Sequence, residues 1–215
     1  MSKKTWNEAY KERWDERYKT PEFAYGKEPN LFFKDWLQKL KPGSILMPAE
    51  GEGRNGVYAA QLDWKVTAFD LSVEGQTKAL ALAKEKAVSI KYLVGSLEDL
   101  EFEEESFDVI ALIYAHFSAD SKSVFHQKLQ GYLKPGGLIL MEAFSKAHLK
   151  FNAVDPKVGG PKEEDMLFSI AEIKTDFKGF ETLLLEEQIV VLEEGQYHRG
   201  ESAVLRFVGK KLMNP

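Results

Sequence analysis

The sequence predicts a doubly wound α/β fold: a mostly parallel sheet, covered by helices on both faces and closed by an antiparallel hairpin at its C-terminal end. Three observations predict it. Apolar strand-like runs alternate with helical patterns from Ser44 to Phe144, and strands that are apolar throughout belong in a parallel sheet buried on both faces. The first of these runs, beginning at Ser44, breaks into Gly51, Gly53 and Gly56 and becomes helical through Val57, Ala60 and Leu62, which reads as strand, tight turn, helix. The rhythm then changes near the end, where Thr182 to Leu192 and Ser202 to Val208 form two strand-like runs joined by a link short enough for a hairpin.

Taken in order, the chain opens with Thr5 and Glu8 at capping-box spacing, so a helix starts there. Trp6, Tyr10, Trp14 and Tyr18 follow at steps of four and make one aromatic stripe, which reads either as a helix packed on the domain or as one whose Trp14 to Tyr18 end closes over a ligand. The turn-rich link from Phe23 leads to Asn30, a cap for a helix with Phe32, Phe33, Trp36, Leu37 and Leu40 on its apolar face, stopped by Pro42-Gly43. Helices are expected at Asn55 to Leu62, Val73 to Ala87, Lys122 to Leu133 and Ser169 to Phe177, and strands at Val66 to Phe69, Ile90 to Val94 and Phe107 to Ile113. Pro135-Gly136-Gly137 turns into the strand Leu138 to Phe144. The stretch from Ser145 to Asp165, with two prolines and two glycines, reads as a lid or a disordered loop.

Length and charge narrow the function. A chain of 215 residues suits one domain, read as a helical cover over residues 1–41 and a core over 42–215. A net charge of −5 provides no basic field for nucleic acid, so no nucleic-acid partner is expected. The absence of cysteine excludes disulfides and thiolate metal sites, and no metal is expected; a cytoplasmic setting follows from the same count. The charged N-terminus from Met1 to Trp6 is no signal core, and no apolar run approaches a membrane span. The partner expected is a small molecule, with the protein a monomer or homodimer.

The glycine turn is where chemistry is expected. Gly51 and Gly53 permit a sharp turn against which a ligand can lie, and the helix that follows points free N–H groups at the same place. Asp70, at the tip of the next strand a little under twenty residues on, stands where a ribose diol is held.

Together these residues resemble a class I S-adenosylmethionine-dependent methyltransferase. The resemblance is carried by Ala49-Glu50-Gly51-Glu52-Gly53-Arg54-Asn55, Asp70, Phe107-Asp108-Val109-Ile110, Leu133-Lys134-Pro135-Gly136-Gly137 and the terminal hairpin. The Gly-Glu-Gly-Arg-Asn form, preceded by Tyr25-Gly26 and Pro29-Asn30, is similar to the branch of tellurite-resistance and thiopurine methyltransferases. The resemblance implies a Rossmann-like, seven-stranded sheet and S-adenosylmethionine as cofactor. It implies a cofactor site drawn from Trp14, Tyr25, Glu50, Gly51, Glu52, Gly53, Arg54, Asn55, Asp70, Leu71, Ser96, Leu97 and Tyr114. Gly51 and Gly53 would pass under the methionine part, Asp70 would hold the ribose, Ser96 and Leu97 would flank the adenine, and Tyr114 would line the methyl-transfer pocket. Met47 stands where the family often has Asp, and Glu50 where it has a small residue or Cys; the added carboxylate sits close to a sulfonium.

The acceptor wall is expected from Tyr114, His116 and Phe144 at the strand ends and from Tyr197 and His198 in the hairpin link. His116 is the candidate catalytic base, and His198 is a second histidine in reach. A mostly aromatic wall suits a small, polarizable acceptor: a thiol, or a tellurium or selenium oxyanion. The GxGxxG letters also fit a nicotinamide oxidoreductase, and the departures at Met47 and Glu50 leave room for a non-catalytic cofactor-binding regulator.

Overall fold

A computed structural model describes residues 5–213; the charged residues 1–4 of the N-terminus lie outside them. Two helices precede the sheet, α1 (Trp6–Tyr18) and α2 (Leu31–Leu37). Then β1 (Ser44–Pro48), α3 (Arg54–Gln61), β2 (Lys65–Asp70), α4 (Val73–Glu85), β3 (Lys91–Val94), β4 (Phe107–Ile113), α5 (Lys122–Tyr132) and β5 (Leu133–Phe144) alternate. After α6 (Leu149–Asn152) and α7 (Ile170–Asp176), the long strands β6 (Phe180–Glu194) and β7 (His198–Lys211) close the chain.

The seven strands form one sheet in the order β3-β2-β1-β4-β5-β7-β6. Every pair from β3 through β5 is parallel, and β7 runs antiparallel to both β5 and β6. This is the Rossmann-like, doubly wound architecture with a terminal hairpin. The pleat sorts the strand side chains. Leu46, Ile110, Leu112 and Met141 pack on one face with Phe125 and Leu129 of α5 and Ile173 of α7. Ile45, Met47, Val109 and Ala111 pack on the other with Phe33 and Leu37 of α2 and Ala79 of α4. Neighbouring residues of one strand thus enter opposite cores, which is why each strand reads as a continuous apolar run.

The capping signals act as read. Thr5 and Glu8 form the reciprocal capping box of α1, and Asn30 Oδ1 accepts from Phe33 N–H at 2.9 Å to start α2. Three local expectations are corrected. The helix α2 ends at Leu37, before Leu40 and Pro42. The Pro135-Gly136-Gly137 turn is not the entry to β5 but a bulge inside it: Leu133 already pairs with Phe107, and Leu138 with Val109, so residues 134–137 leave the ladder. Of the two readings of the stretch 145–165, the disordered loop is the one that fails. The stretch holds α6 and three short 3-10 turns, and buries His148 and Val158 against β7.

Candidate active site

The strand order reverses direction between β1 and β4, and a cleft opens at the carboxyl ends of those two strands. Its floor is under backbone strain. Ala49, just after β1, and Tyr114, just after β4, both adopt left-handed backbones at φ 53° and 52°. Non-glycine residues hold such angles at a cost of order 1–3 kcal/mol, and they concentrate at functional sites. Both residues line the cleft.

Two connected cavities occupy it. The larger encloses about 870 Å³ of empty space, its open mouth included, and is lined by Glu50, Glu52, Arg54, Asn55, Asp70, Tyr114, His116, Phe144 and His198, with Tyr10, Trp14, Tyr18 and Tyr25 above. The smaller is lined by Leu71, Ser96 and Leu97, with Phe69, Phe117 and Phe125, and with Trp6, Tyr10 and Trp14 as its roof. Tyr10, Trp14, Ala49, Asp70 and His116 border both. The four-step aromatic stripe of α1 therefore lies along the whole opening. Trp6 stacks on Tyr10 at 4.1 Å and Trp14 on Tyr18 at 5.4 Å. At its N-terminal end Asn7 Nδ2 donates to Glu98 at 2.9 Å, and near its C-terminal end Asp15 accepts from Ser72 Oγ at 2.6 Å.

The glycine turn is built for the protein's own packing. A Cβ on Gly53, whose φ is 85°, would sit 2.5 Å from the Ala79 Cβ of α4. A Cβ on Gly51 would sit 2.6 Å from the Tyr18 hydroxyl. Neither glycine lines the cavities. Their missing side chains bring α4 and α1 close to the turn, whereas the sequence suggested space for a ligand. The Gly51 peptide is clamped at both ends, its N–H donating to Asp70 at 3.0 Å and its carbonyl accepting from Tyr92 at 2.5 Å.

The polar residues of the turn divide into two groups. Glu52, Arg54 and Asn55 reach back to the link before α2. Glu52 accepts from Ala24 N–H at 2.8 Å and pairs with Lys78 at 2.7 Å. Arg54 donates to the Tyr25 and Glu28 carbonyls at 3.4 Å each, and Asn55 accepts from Asn30 N–H at 2.9 Å. This is the physical link between the Gly-Glu-Gly-Arg-Asn stretch and the Tyr25 to Asn30 stretch. Glu50 and Asp70 are the second group. Burial pushes the Glu50 carboxyl up to about 7, against the Gly56 N–H it accepts at 2.6 Å and the nearby Arg54. Burial likewise pushes Asp70 up to about 6, against the N–H groups of Ser72 and Gly51. Burial is the leading cause of both shifts; Arg13, Arg17 and Arg54 line the same cavity, so the two carboxyls are raised by loss of water and not by a want of positive charge.

The wall formed by the ends of β4 and β5 and the start of β7 is aromatic. Tyr114 lies 4.8 Å from Phe144 and 4.4 Å from His198, and Tyr25 lies 4.4 Å from His198, centroid to centroid. Tyr197 lines neither cavity; it lies 6.1 Å from Tyr25 and under the Arg17 guanidinium at 4.3 Å. His116 is not free to act as a base. Its Nδ1 bonds the Met166 carbonyl at 3.0 Å and its Nε2 accepts from Phe144 N–H at 3.3 Å, so the ring is a neutral strut between three segments. Burial drives it down to about 4. Behind the wall runs a charged network that the sequence reading missed. Glu142 accepts from Asn30 Nδ2 at 2.6 Å, from the Tyr114 hydroxyl at 3.1 Å and from Arg206 Nε at 2.6 Å. Glu194 accepts from Arg54 at 2.8 Å, from His198 Nδ1 at 3.0 Å and from Asn30 at 3.1 Å. A glutamate within the apolar run Leu138 to Phe144 was the one signal of this network in the sequence. Among the described residues, no three His, Asp or Glu side chains converge as a metal site, and no helix is long and apolar enough to cross a membrane.

Comparison with known proteins agrees with this geometry. Residues 45–137 match the family model described as a methyltransferase domain. No curated protein matches by sequence. Among solved structures, the protein studied for the conversion of a disulfide bond into a thioacetal group during echinomycin biosynthesis superposes with a TM-score of 0.75 at 17% identity, over 97% of this chain and 93% of that one. TehB from Haemophilus influenzae gives 0.68 at 17% identity, over 94% of this chain and 66% of that one. A SAM-dependent methyltransferase from Methanosarcina mazei gives 0.65 at 16% identity, over 87% of this chain and 100% of that one. These likenesses establish the fold. The matched domain is a methyltransferase domain, and S-adenosylmethionine is the cofactor that such a domain on this fold implies.

Proposed function

We propose that this protein transfers the methyl group of S-adenosylmethionine to a small acceptor, with thiols and tellurium or selenium oxyanions as the first to try. The observation that carries the reading is the pair of buried carboxyls, Glu50 and Asp70, in a cleft whose other end is apolar. A ligand with a cationic centre, a hydroxylated sugar and a flat apolar ring matches that sequence of surfaces. Asp70 would hold the ribose, Leu71, Ser96 and Leu97 the adenine, and Glu50 would face the cationic end. Trp14 and Tyr25 would cover the cofactor, while Gly51, Glu52, Gly53, Arg54 and Asn55 would fix the turn that carries these groups.

The cofactor supplies an electrophilic methyl group on a sulfonium. The protein's tasks are then to orient the acceptor, exclude water and remove a proton where the acceptor has one. Tyr114 and Phe144 form an aromatic wall, with Tyr197 behind Tyr25; such a wall favours a small, polarizable acceptor. The Gly-Glu-Gly-Arg-Asn stretch held on Tyr25 to Asn30 supports a place beside the tellurite-resistance and thiopurine branch. The echinomycin protein's work on a disulfide is a reason to test sulfur acceptors first. A single domain working in the cytoplasm completes the reading.

The test is release of S-adenosylhomocysteine across a panel of thiols, selenite and tellurite, with RNA and protein as comparison acceptors. Turnover with a small acceptor well above the macromolecules is expected. Preference for RNA or protein overturns the acceptor class, and cofactor binding with no turnover on any acceptor leaves a non-catalytic binder.

A further inference from the structure

We propose that His198, oriented by Glu194, takes the proton from a methyl acceptor that arrives protonated, which selects a thiol over an oxyanion as substrate. The inference rests on the small-molecule methyl-transfer reading above.

The assignment comes from the hydrogen bonding of all four histidines. His116 has both ring nitrogens engaged by backbone. His148 is held the same way, by the Gly159 carbonyl at 3.0 Å and Ala203 N–H at 3.3 Å. His126 bonds Asp176 at 2.7 Å, and its Nε2 is the one sealed, partnerless side-chain nitrogen or oxygen among the described residues. His198 differs from all three. Its Nδ1 bonds Glu194 at 3.0 Å, and its Nε2 bonds nothing among the described residues. Nε2 is not sealed, its ring lines the cavity, and it lies beside Gly159, where a Cβ would sit 3.4 Å from it.

The carboxylate decides which nitrogen is bare. Burial pushes Glu194 up, but Arg54 and His198 outweigh it and hold the group at about 2, so it is ionised at neutral pH. An ionised carboxylate only accepts, so His198 Nδ1 carries the proton. Burial lowers His198 against the pull of Glu194, so the ring is neutral and its Nε2 lone pair is available. Every charged or titratable group against the ring is accounted for: Glu194 from β6, Arg54 from α3, Arg17 from α1, Tyr25 from the link, and Tyr114 and His116 from the end of β4.

The proton balance is simple. The acceptor S–H bond breaks and an Nε2–H bond forms. The electron pair stays on sulfur, which becomes the nucleophile. Glu194 offsets the imidazolium charge, and the proton then passes to solvent. A selenium or tellurium oxyanion attacks through a lone pair already free on the chalcogen, so no proton has to leave the attacking atom and the pair contributes nothing.

Two measurements test this. Nitrogen NMR of the imidazoles in the intact protein at pH 7 should show His198 with Nδ1 protonated and Nε2 bare; the opposite tautomer, or an imidazolium, overturns the assignment before any turnover is measured. His198→Gln should lower thiol methylation about 10²-fold or more at pH 7, with the loss shrinking as pH passes the thiol pKa, while cofactor affinity stays within about twofold. Selenite methylation, where it occurs, should fall much less. An equal, pH-independent loss on thiol and selenite would make His198 a wall residue only. Failure of the unaltered protein to turn over any small acceptor would overturn the proposed function itself, and the two failures are told apart because the second needs no variant.

Discussion

The Arg54 guanidinium, which lines the cavity, meets the Glu194 carboxylate, 140 positions away in the chain, at 2.8 Å. Both side chains are close to fully buried. Removing one member leaves an uncompensated charge, at a cost of about 3–5 kcal/mol. Arg54→Met should therefore lower unfolding free energy by about that amount, and Arg54→Met with Glu194→Gln should recover much of it. Chemical denaturation of the two variants measures this. An additive double variant would show that the two groups do not act as a pair.

Gly53 is expected to behave as a packing residue. Gly53→Val forces a Cβ into Ala79 and places a β-branched residue at φ 85°. The fold should lose about 3 kcal/mol or more. Reading the sequence alone, one would expect such a variant to stay folded and lose only its cofactor. Thermal unfolding without ligand decides, since an unchanged Tm would return Gly53 to the ligand site.

Cofactor affinity should rise with pH between about 5 and 8. The carboxyls of Glu50 and Asp70 are raised from 4.5 to about 7 and from 3.8 to about 6, and a cationic ligand prefers them ionised. The sign for stability is opposite in the free protein. A carboxyl raised on folding stabilises below its unfolded pKa, and that contribution is lost as pH rises through about 6 to 7. Calorimetry in buffers of different ionisation enthalpy should show proton release on binding near pH 6.5. Glu50→Gln should reduce that release; no change would take Glu50 out of the linkage.

The cover should move as one helix. The α1 helix is tied at Asn7–Glu98 and Asp15–Ser72 and lies over both cavities. Ligand entry requires it to lift, so its amides should gain hydrogen-exchange protection at saturating cofactor. Asp15→Ala should speed exchange in α1 of the free protein. The 145–165 stretch, already pinned by His148 and Val158, should change less. Protection gained there and not in α1 would reverse the assignment.

His116 should prove structural. His116→Ala strips partners from the Phe144 N–H and the Met166 carbonyl, both buried, at about 1–3 kcal/mol each. Any loss of turnover should be the same at every pH between 6 and 9. A loss that vanishes at high pH would restore His116 as the proton acceptor.

Much of this protein was determined by the sequence alone. Strand–turn–helix alternation, the capping boxes, the glycine turn, Asp70 at the tip of β2 and the closing hairpin all follow from backbone preferences and burial patterns within short windows. Such windows also place Tyr114, His116 and Phe144 at strand ends, because a strand ends where its apolar run ends. The partners of these residues were decided only by the tertiary structure. Asn30 reads locally as a helix cap, and it is one, yet the same side chain also reaches Glu142 and Glu194, 112 and 164 residues away. The sequence puts His116 first as the base and His198 second; the folded chain engages both nitrogens of the first and leaves Nε2 of the second without a hydrogen bond among the described residues. The physical reason is that a side chain's protonation and reach depend on what the strand order sets beside it. Only the insertion of β7 between β5 and β6 brings Glu142, Glu194 and Arg206 together behind the wall of one cavity.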